Sequence, residues 1–263
     1  MKKVVVMLLL LWSTLLVADQ AKAMIIFDAS GSMWGQIAGK TKIEIAREAL
    51  ARVVRTWNPD VELGLTVYGH RSKGDCNDIE TLIPVGKVQS YHMISAVNAI
   101  QPKGKTPISR SIRKAADALR YTEEKATIIL ISDGQETCDP DPCGTAKQLK
   151  AEGIDFVAHV IGFNVDKKTD EELQCIASAT GGEYYSAKNA NALNDAMKTI
   201  VQKVEKVEPP KPEPKPVVKE LDHTVEISAS ETEGGKWIRA YHYIYPMVDG
   251  KPEDSMAASG NSN

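Results

Sequence analysis

The sequence predicts an α/β domain over residues 24–205: a doubly wound, mostly parallel six-stranded sheet with helices on both faces. Three observations predict it. Six apolar runs of strand length alternate with segments whose apolar residues recur at helical spacing. The runs are mostly apolar throughout rather than alternating with polar residues, as strands buried on both faces are. Helix start and stop signals bracket the segments between them.

The first run, residues 24–28 (MIIFD), is a strand ending on Asp28. Thr41 and Glu44 have the spacing of a capping box, in which the hydroxyl bonds forward and the carboxylate reaches back. Ile45, Ala46, Ala49, Leu50, Val53, Val54 and Trp57 follow at helical spacing until Asn58-Pro59 stops the helix. Residues 61–69 and 79–85 are the second and third strands, joined by a polar loop containing Cys76. Helices are expected over 90–100 and 107–120. In the second, Thr106 stands at the cap and Pro107 in the first turn, where a missing N–H costs nothing. Residues 127–132 (TIILIS) are the fourth strand, ending just before Asp133. Asp141-Pro142 opens a helix that Gly153 closes, and residues 155–161 are the fifth strand. Thr169 and Glu172 make a second capping-box pattern for a helix through Ala179, ended by Gly181-Gly182. Residues 183–186 are the sixth strand and 190–205 the last amphipathic helix.

After Glu205 the texture changes. Five prolines between Pro209 and Pro216, interleaved with Lys and Glu, make residues 206–220 an extended, semi-rigid linker. Residues 224–229 and 237–245 read as two β-strands separated by Gly234-Gly235. A segment this short, with no Cys, cannot bury a core of its own. Residues 221–263 are therefore either the opening of a β-sandwich whose remainder is missing or a frayed tail, with a disordered Ser/Gly/Asn-rich ending.

The N-terminus has the three parts of a secretory signal peptide: Lys2-Lys3, an apolar run over 4–18, and small residues at Ala21 and Ala23. Residues 1–23 are the expected signal peptide, which makes the chain periplasmic or secreted, with no membrane insertion after cleavage. The alternative is an uncleaved segment anchoring the chain, although the run is shorter than the roughly 20 residues of a spanning helix. A formal net charge of −3 and the absence of a Lys/Arg run exclude a nucleic-acid binder. Four cysteines, Cys76, Cys138, Cys143 and Cys175, are candidate disulfide partners in an exported protein. Three pairings are possible, and proximity in sequence leans toward Cys138 with Cys143.

In doubly wound sheets, ligands sit outside the carboxyl ends of the strands. The first strand ends in Asp28-Ala29-Ser30-Gly31-Ser32, the fourth in Asp133-Gly134, and a loop between them holds Gly104-Lys105-Thr106-Pro107. Each part alone reads as a cap or a turn. Together they are three loops offering hard oxygens at one end of one sheet, which suits Mg²⁺, with Mn²⁺ or Ca²⁺ as substitutes.

This constellation resembles the metal-ion-dependent adhesion site of von Willebrand factor type A domains, with Asp28, Ser30, Ser32, Thr106 and Asp133 filling all five positions. The resemblance covers residues 24–205 and is nearest to bacterial exported members, through the phrases MIIFDASGSMWG, GKTPIS and ILISDG. It implies a sheet ordered 3-2-1-4-5-6 with the third strand antiparallel. It implies that Ser30, Ser32 and commonly Thr106 touch the metal, while Asp28 and Asp133 act largely through water. It also implies a partner protein whose Asp or Glu completes the coordination.

The function expected is thus an exported, divalent-metal-dependent protein-binding module for adhesion or assembly, and not an enzyme. Two alternatives stand beside it: a metal-dependent hydrolase, and a structural element of the cell envelope. A hydrolase would need a base or nucleophile beside the metal. His70 is the one histidine expected near the site, with a loop role as its plainer reading, and His159 is expected in the core. No phosphate-binding Gly-rich loop or Gly-x-Ser-x-Gly occurs. Trp34, Arg71 and Glu136 are candidates for a partner-binding rim, each with a plainer reading as packing or solvated charge.

Overall fold

The computed structural model describes residues 21–205, together with residues 247–248 and 251–252. The chain divides into two compact units, Met1–Glu213 and Pro214–Asn263. In the second, Met247–Val248 pairs antiparallel with Lys251–Pro252. The strands expected over 224–229 and 237–245 lie outside the described residues, as does the linker.

In the first unit the sheet strands are β1 (Lys22–Asp28), β2 (Glu62–Tyr68), β3 (Ile79–Ile83), β4 (Lys125–Ser132), β5 (Asp155–Phe163) and β6 (Tyr184–Ala187). The helices are α1 (Lys42–Arg55), α2 (Ser90–Ala99), α3 (Ile108–Ala118), α4 (Pro142–Glu152), α5 (Lys167–Thr180) and α6 (Ala190–Glu205). The sheet order is β3-β2-β1-β4-β5-β6, with β3 antiparallel to β2 and every other neighbour parallel. Successive side chains of β1 feed opposite layers, as the two-residue period of a strand requires. Ile25 and Phe27 join the core under α1 and α6, while Met24 and Ile26 join that under α3, α4 and α5.

Local chemistry explains most boundaries. The Thr41/Glu44 capping box is formed: the Thr41 N–H donates to Glu44 Oε2 at 2.8 Å and the Thr41 hydroxyl accepts from the Glu44 N–H. Gly181 ends α5 at φ 78°, a left-handed conformation that costs a glycine nothing. Three expectations need correction. β1 begins at Lys22, and Ala23 is fully buried in it, because the Ala21 carbonyl already accepts the Glu62 N–H at 2.9 Å. A chain starting at Met24 would lack those first two strand residues. The cap of α5 is Asp166, which accepts the Thr169 N–H at 2.8 Å, leaving Glu172 to accept the Glu136 N–H at 2.9 Å. Pro107, not Thr106, is the N-cap residue of α3, so the Thr106 side chain has no capping duty.

The disulfides are Cys76–Cys138 and Cys143–Cys175. The leaning toward Cys138 with Cys143 is overturned. Cys143 lies in the first turn of α4, whose packing on α5 brings it to Cys175, while Cys138 in the loop after β4 meets the loop before β3.

Candidate metal centre

The parallel strands β1, β2 and β4 end together, because Asp28 is level with Tyr68 and Phe27 is level with Ile131. The loops leaving these ends can close on one another only where backbone meets backbone. A Cβ on Gly69 would stand 2.7 Å from the Lys105 carbonyl oxygen, and one on Gly104 would stand 2.6 Å from that of Ser72. Gly69 is also left-handed, at φ 71°. With both side chains absent, the Lys103 and Gly104 N–H groups donate to the Gly69 carbonyl at 2.9 and 2.8 Å, and the Gly31 N–H donates to the Gly104 carbonyl at 3.0 Å. The loop bearing Thr106 is thereby laced to the turn bearing Ser30 and Ser32. On its other side, the Thr106 N–H donates to Thr137 Oγ1 at 2.8 Å, and the Thr137 N–H donates to the Thr106 carbonyl at 3.1 Å.

The structure brings all five expected residues together. Asp28 is fully buried. Its Oδ1 accepts the Ser30 N–H at 2.7 Å, and its Oδ2 accepts from the Tyr68 hydroxyl at 2.7 Å, the Ser132 hydroxyl at 2.8 Å and the Asp133 N–H at 3.2 Å. Ser30 Oγ and Ser32 Oγ lie 2.9 Å apart, and the Ser32 hydroxyl donates to Asp133 Oδ1 at 2.6 Å. A Cβ on Gly134 would stand 3.5 Å from Ser32 Oγ and 3.6 Å from Thr106 Oγ1, so these two hydroxyls face one cradle that the glycine leaves open. The Thr106 hydroxyl hydrogen-bonds to none of the described residues.

The electrostatics are unusual for a protein interior. Burial, and then the neighbouring Asp28 carboxylate, push the Asp133 carboxyl up to about 6, against opposing hydrogen bonds from Lys42 and Ser32. The Tyr68 hydroxyl is raised well above its ordinary value by burial and by Asp28, which keeps it a proton donor to that carboxylate. Among the described residues no group of three or more His, Cys, Asp and Glu side chains could hold a metal. The cluster offers two carboxylates and three hydroxyls instead, a donor set that fits a hard divalent cation such as Mg²⁺ or Mn²⁺.

The remaining candidates are spread around this cluster. Trp34 ends a 3₁₀ turn (Gly31–Trp34), is 49% exposed, and donates its indole N–H to the Pro102 carbonyl at 2.9 Å. Arg71 is half exposed and pairs with Asp78 and Glu80. Glu136, expected on the rim, is buried in its own loop. It accepts the N–H groups of Ser109, Cys138 and Asp139, which fixes the start of α3. The His70 imidazole contacts Glu80 at 3.1 Å. His159 Nδ1 accepts the Glu183 N–H at 3.1 Å.

Tyr68, Ser132 and Lys42 join the cluster although no motif in the sequence marks them. The Lys42 ammonium donates to Asp133 Oδ2 at 2.8 Å. A polar hydroxyl closing an apolar strand was the available signal for Tyr68 and Ser132, and a cation at a helix start was the signal for Lys42.

Residues 24–199 match the family model of the von Willebrand factor type A domain. The uncharacterized protein YwmD of Bacillus subtilis is 32% identical over 189 residues, covering 68% of this chain and 84% of its own. Among solved structures, the pilus adhesin SpaC from Lactobacillus rhamnosus GG is similar with a TM-score of 0.60 at 15% identity, over 71% of this chain and 30% of its own. Proximal thread matrix protein 1 from the mussel byssus, solved with zinc in its MIDAS motif, gives a TM-score of 0.54 at 20% identity, over 70% of this chain and 47% of its own. At these identities the two structural likenesses speak to the fold.

Proposed function

The chain belongs to the von Willebrand factor type A family, and on that premise we propose that it is a metal-dependent protein-binding module serving adhesion or assembly outside the cytoplasm. The observation that carries this reading is the donor set. Three uncharged hydroxyls, of Ser30, Ser32 and Thr106, converge with the carboxylates of Asp28 and Asp133 at one opening in the sheet's end. Hydroxyl ligands orient a divalent ion without lowering its charge. When bound, the ion supplies Lewis acidity toward an outside carboxylate, and an Asp or Glu of a partner protein is the ligand of that chemistry. Mg²⁺ is the ion proposed, with Mn²⁺ as its working substitute.

What the chain's own residues do is hold and orient. Ser30 N–H, Tyr68 and Ser132 fix Asp28, Ser32 fixes Asp133, and the Gly69/Gly104 lacing fixes Thr106. Trp34 and Arg71, both half exposed, are proposed rim contacts. Hydrolysis is the weaker reading. His70, the acid–base group expected near the site, is engaged by Glu80 at 3.1 Å and lies 4.0 Å from Asp78. Export is proposed from the apolar N-terminal run and is supported by the two disulfides. No helix of the described residues is long and apolar enough to cross a membrane.

The test is capture from an extract of exported proteins in Mg²⁺, in EDTA, and with Ser32→Ala, which removes one hydroxyl and leaves the Asp28 hydrogen bonds in place. Partners that elute with EDTA and are absent with Ser32→Ala are expected. Capture that survives both treatments would end the docking reading, and metal-dependent turnover of a phosphoester or peptide would restore the hydrolase.

A further inference from the structure

Lys42 stands where helix electrostatics disfavour it. It is the first residue of α1, at the end carrying the positive pole of the helix dipole, where an acidic residue is the stabilising choice. Its side chain does not turn out to solvent. It is only 12% exposed, and its ammonium donates to Oδ2 of Asp133, a carboxylate with no exposure at all, at 2.8 Å. The other oxygen of that carboxylate accepts from Ser32, itself 2.9 Å from Ser30. The ammonium thus reaches the same carboxylate that closes the hydroxyl cluster, from its far side.

Two further features hold it there. The Lys42 N–H donates to the Gly35 carbonyl at 2.8 Å, which pins the backbone. A Cβ on Gly35 would stand 3.4 Å from Lys42 Cε and 3.8 Å from Cδ, so the lysine stem runs across the glycine. The charge count gives this path a meaning. Asp28 and Asp133 bring two negative charges into a buried cluster, and Lys42 answers one of them. A divalent ion entering the cluster would answer both and would then stand near an ammonium of like sign, at short range in a medium of low dielectric.

We propose that Lys42 is a resident counter-ion of the metal centre: it holds the Asp133 carboxylate in place when no metal is bound, and it weakens the site's affinity for divalent cations. The proposal rests on the reading of this cluster as a metal site. It makes occupancy depend on the surrounding divalent concentration, so that partner capture is regulated by the medium the protein enters.

The test is titration of the metal-free chain with Mn²⁺, with free ion followed by electron paramagnetic resonance, in wild type, Lys42→Met and Lys42→Arg. Met keeps an apolar stem over Gly35 and drops the charge, while Arg keeps the charge. Lys42→Met is expected to bind Mn²⁺ about tenfold more tightly, with Lys42→Arg close to wild type. Without metal, Lys42→Met should also melt at a lower temperature than wild type, and saturating Mn²⁺ should close that gap. Lys42→Gln, neutral but still a hydrogen-bond donor, should tighten binding too and serves if Lys42→Met does not fold. Unchanged or weaker Mn²⁺ binding by the neutral variants, with wild type binding measurably, would overturn the role of Lys42 and leave the metal site standing. Absence of binding in wild type and in every variant would overturn the metal-site reading, and Lys42's role with it.

Discussion

Two groups of buried aspartates sit at the same end of the sheet, and they are built on opposite plans. Asp78, just before β3, is 1% exposed. Its Oδ1 accepts from Arg71 Nε at 2.7 Å, and its Oδ2 accepts the N–H groups of Arg71 and Ser72 at 2.7 and 2.8 Å. Its charge meets the Arg71 guanidinium, which also reaches the partly exposed Glu80 at 3.2 Å, and both Asp78 oxygens are engaged. Asp28 and Asp133 are as deeply buried, but every donor to Asp28 is neutral and the pair shares the single ammonium of Lys42. Burial therefore does not separate the structural carboxylate from the two proposed to hold a metal. The charge of the donors does: Asp78 is bound directly by a guanidinium, whereas Asp28 and Asp133 share one ammonium, an imbalance that costs free energy in a protein interior and that a divalent cation would relieve.

The Cys76–Cys138 disulfide joins the two groups, since Cys76 precedes Asp78 by two residues and Cys138 follows Asp133 by five. Its removal has the largest expected effect. For a crosslink spanning 62 residues, Cys76→Ser with Cys138→Ser should lower stability by about 4 kcal/mol, read by urea denaturation, and should weaken Mn²⁺ binding by loosening the Thr137 contact to Thr106. Next, Asp78→Ala strips three donors of their acceptor and should cost about 3 kcal/mol in the same measurement, with Mn²⁺ affinity left close to wild type. Loss of metal binding there would break the distinction between the groups.

Asp133→Asn should behave in the opposite way. It replaces a carboxyl that is already neutral in the fold near pH 4, so metal-free stability there should move by less than about 1 kcal/mol, whereas Mn²⁺ binding should disappear from the titration. The finest contrast is the sign of the pH dependence in metal-free protein. Asp133 is raised to about 6, so its contribution to stability is fully present below its unfolded value near 4 and is lost as pH rises through about 6. For Asp78, burial pushes the carboxyl up, but the hydrogen bonds from Arg71 and from the Ser72 and Arg71 N–H groups more than reverse it. Its contribution is present above the unfolded value and is lost as pH falls through the lowered folded one. Melting temperatures against pH should show Asp133→Asn flattening the curve between pH 4 and 6 and Asp78→Asn altering only the acid limb. Coincident curves for the two variants would remove the contrast.

What the sequence made legible follows the range of the forces involved. The apolar strands, the Thr41/Glu44 capping box and the glycine end of α5 depend on neighbours within a few residues, and each was readable from pattern. Asp28, Ser30, Ser32, Thr106 and Asp133 were readable as a set because a known constellation shares their order and spacing. The disulfide partners were not, since Cys143 lies nearer in sequence to Cys138 and only the packing of α4 on α5 brings Cys175 to it. Tyr68 and Lys42 reach the aspartates from 40 and 91 residues away, a proximity that exists only once β1, β2 and β4 are level. Glu136 reads as a rim residue in the sequence because nothing local reveals that its carboxylate accepts the Ser109 N–H in the first turn of α3.

The most direct test of the metal centre is equilibrium binding of Mn²⁺ to the metal-free chain, comparing wild type with Ser32→Ala and Thr106→Ala. One ion per chain is expected in wild type, displaced by Mg²⁺, with affinity sharply reduced in each single variant and abolished in the double. No saturable binding in wild type, or binding untouched by loss of both hydroxyls, would contradict it.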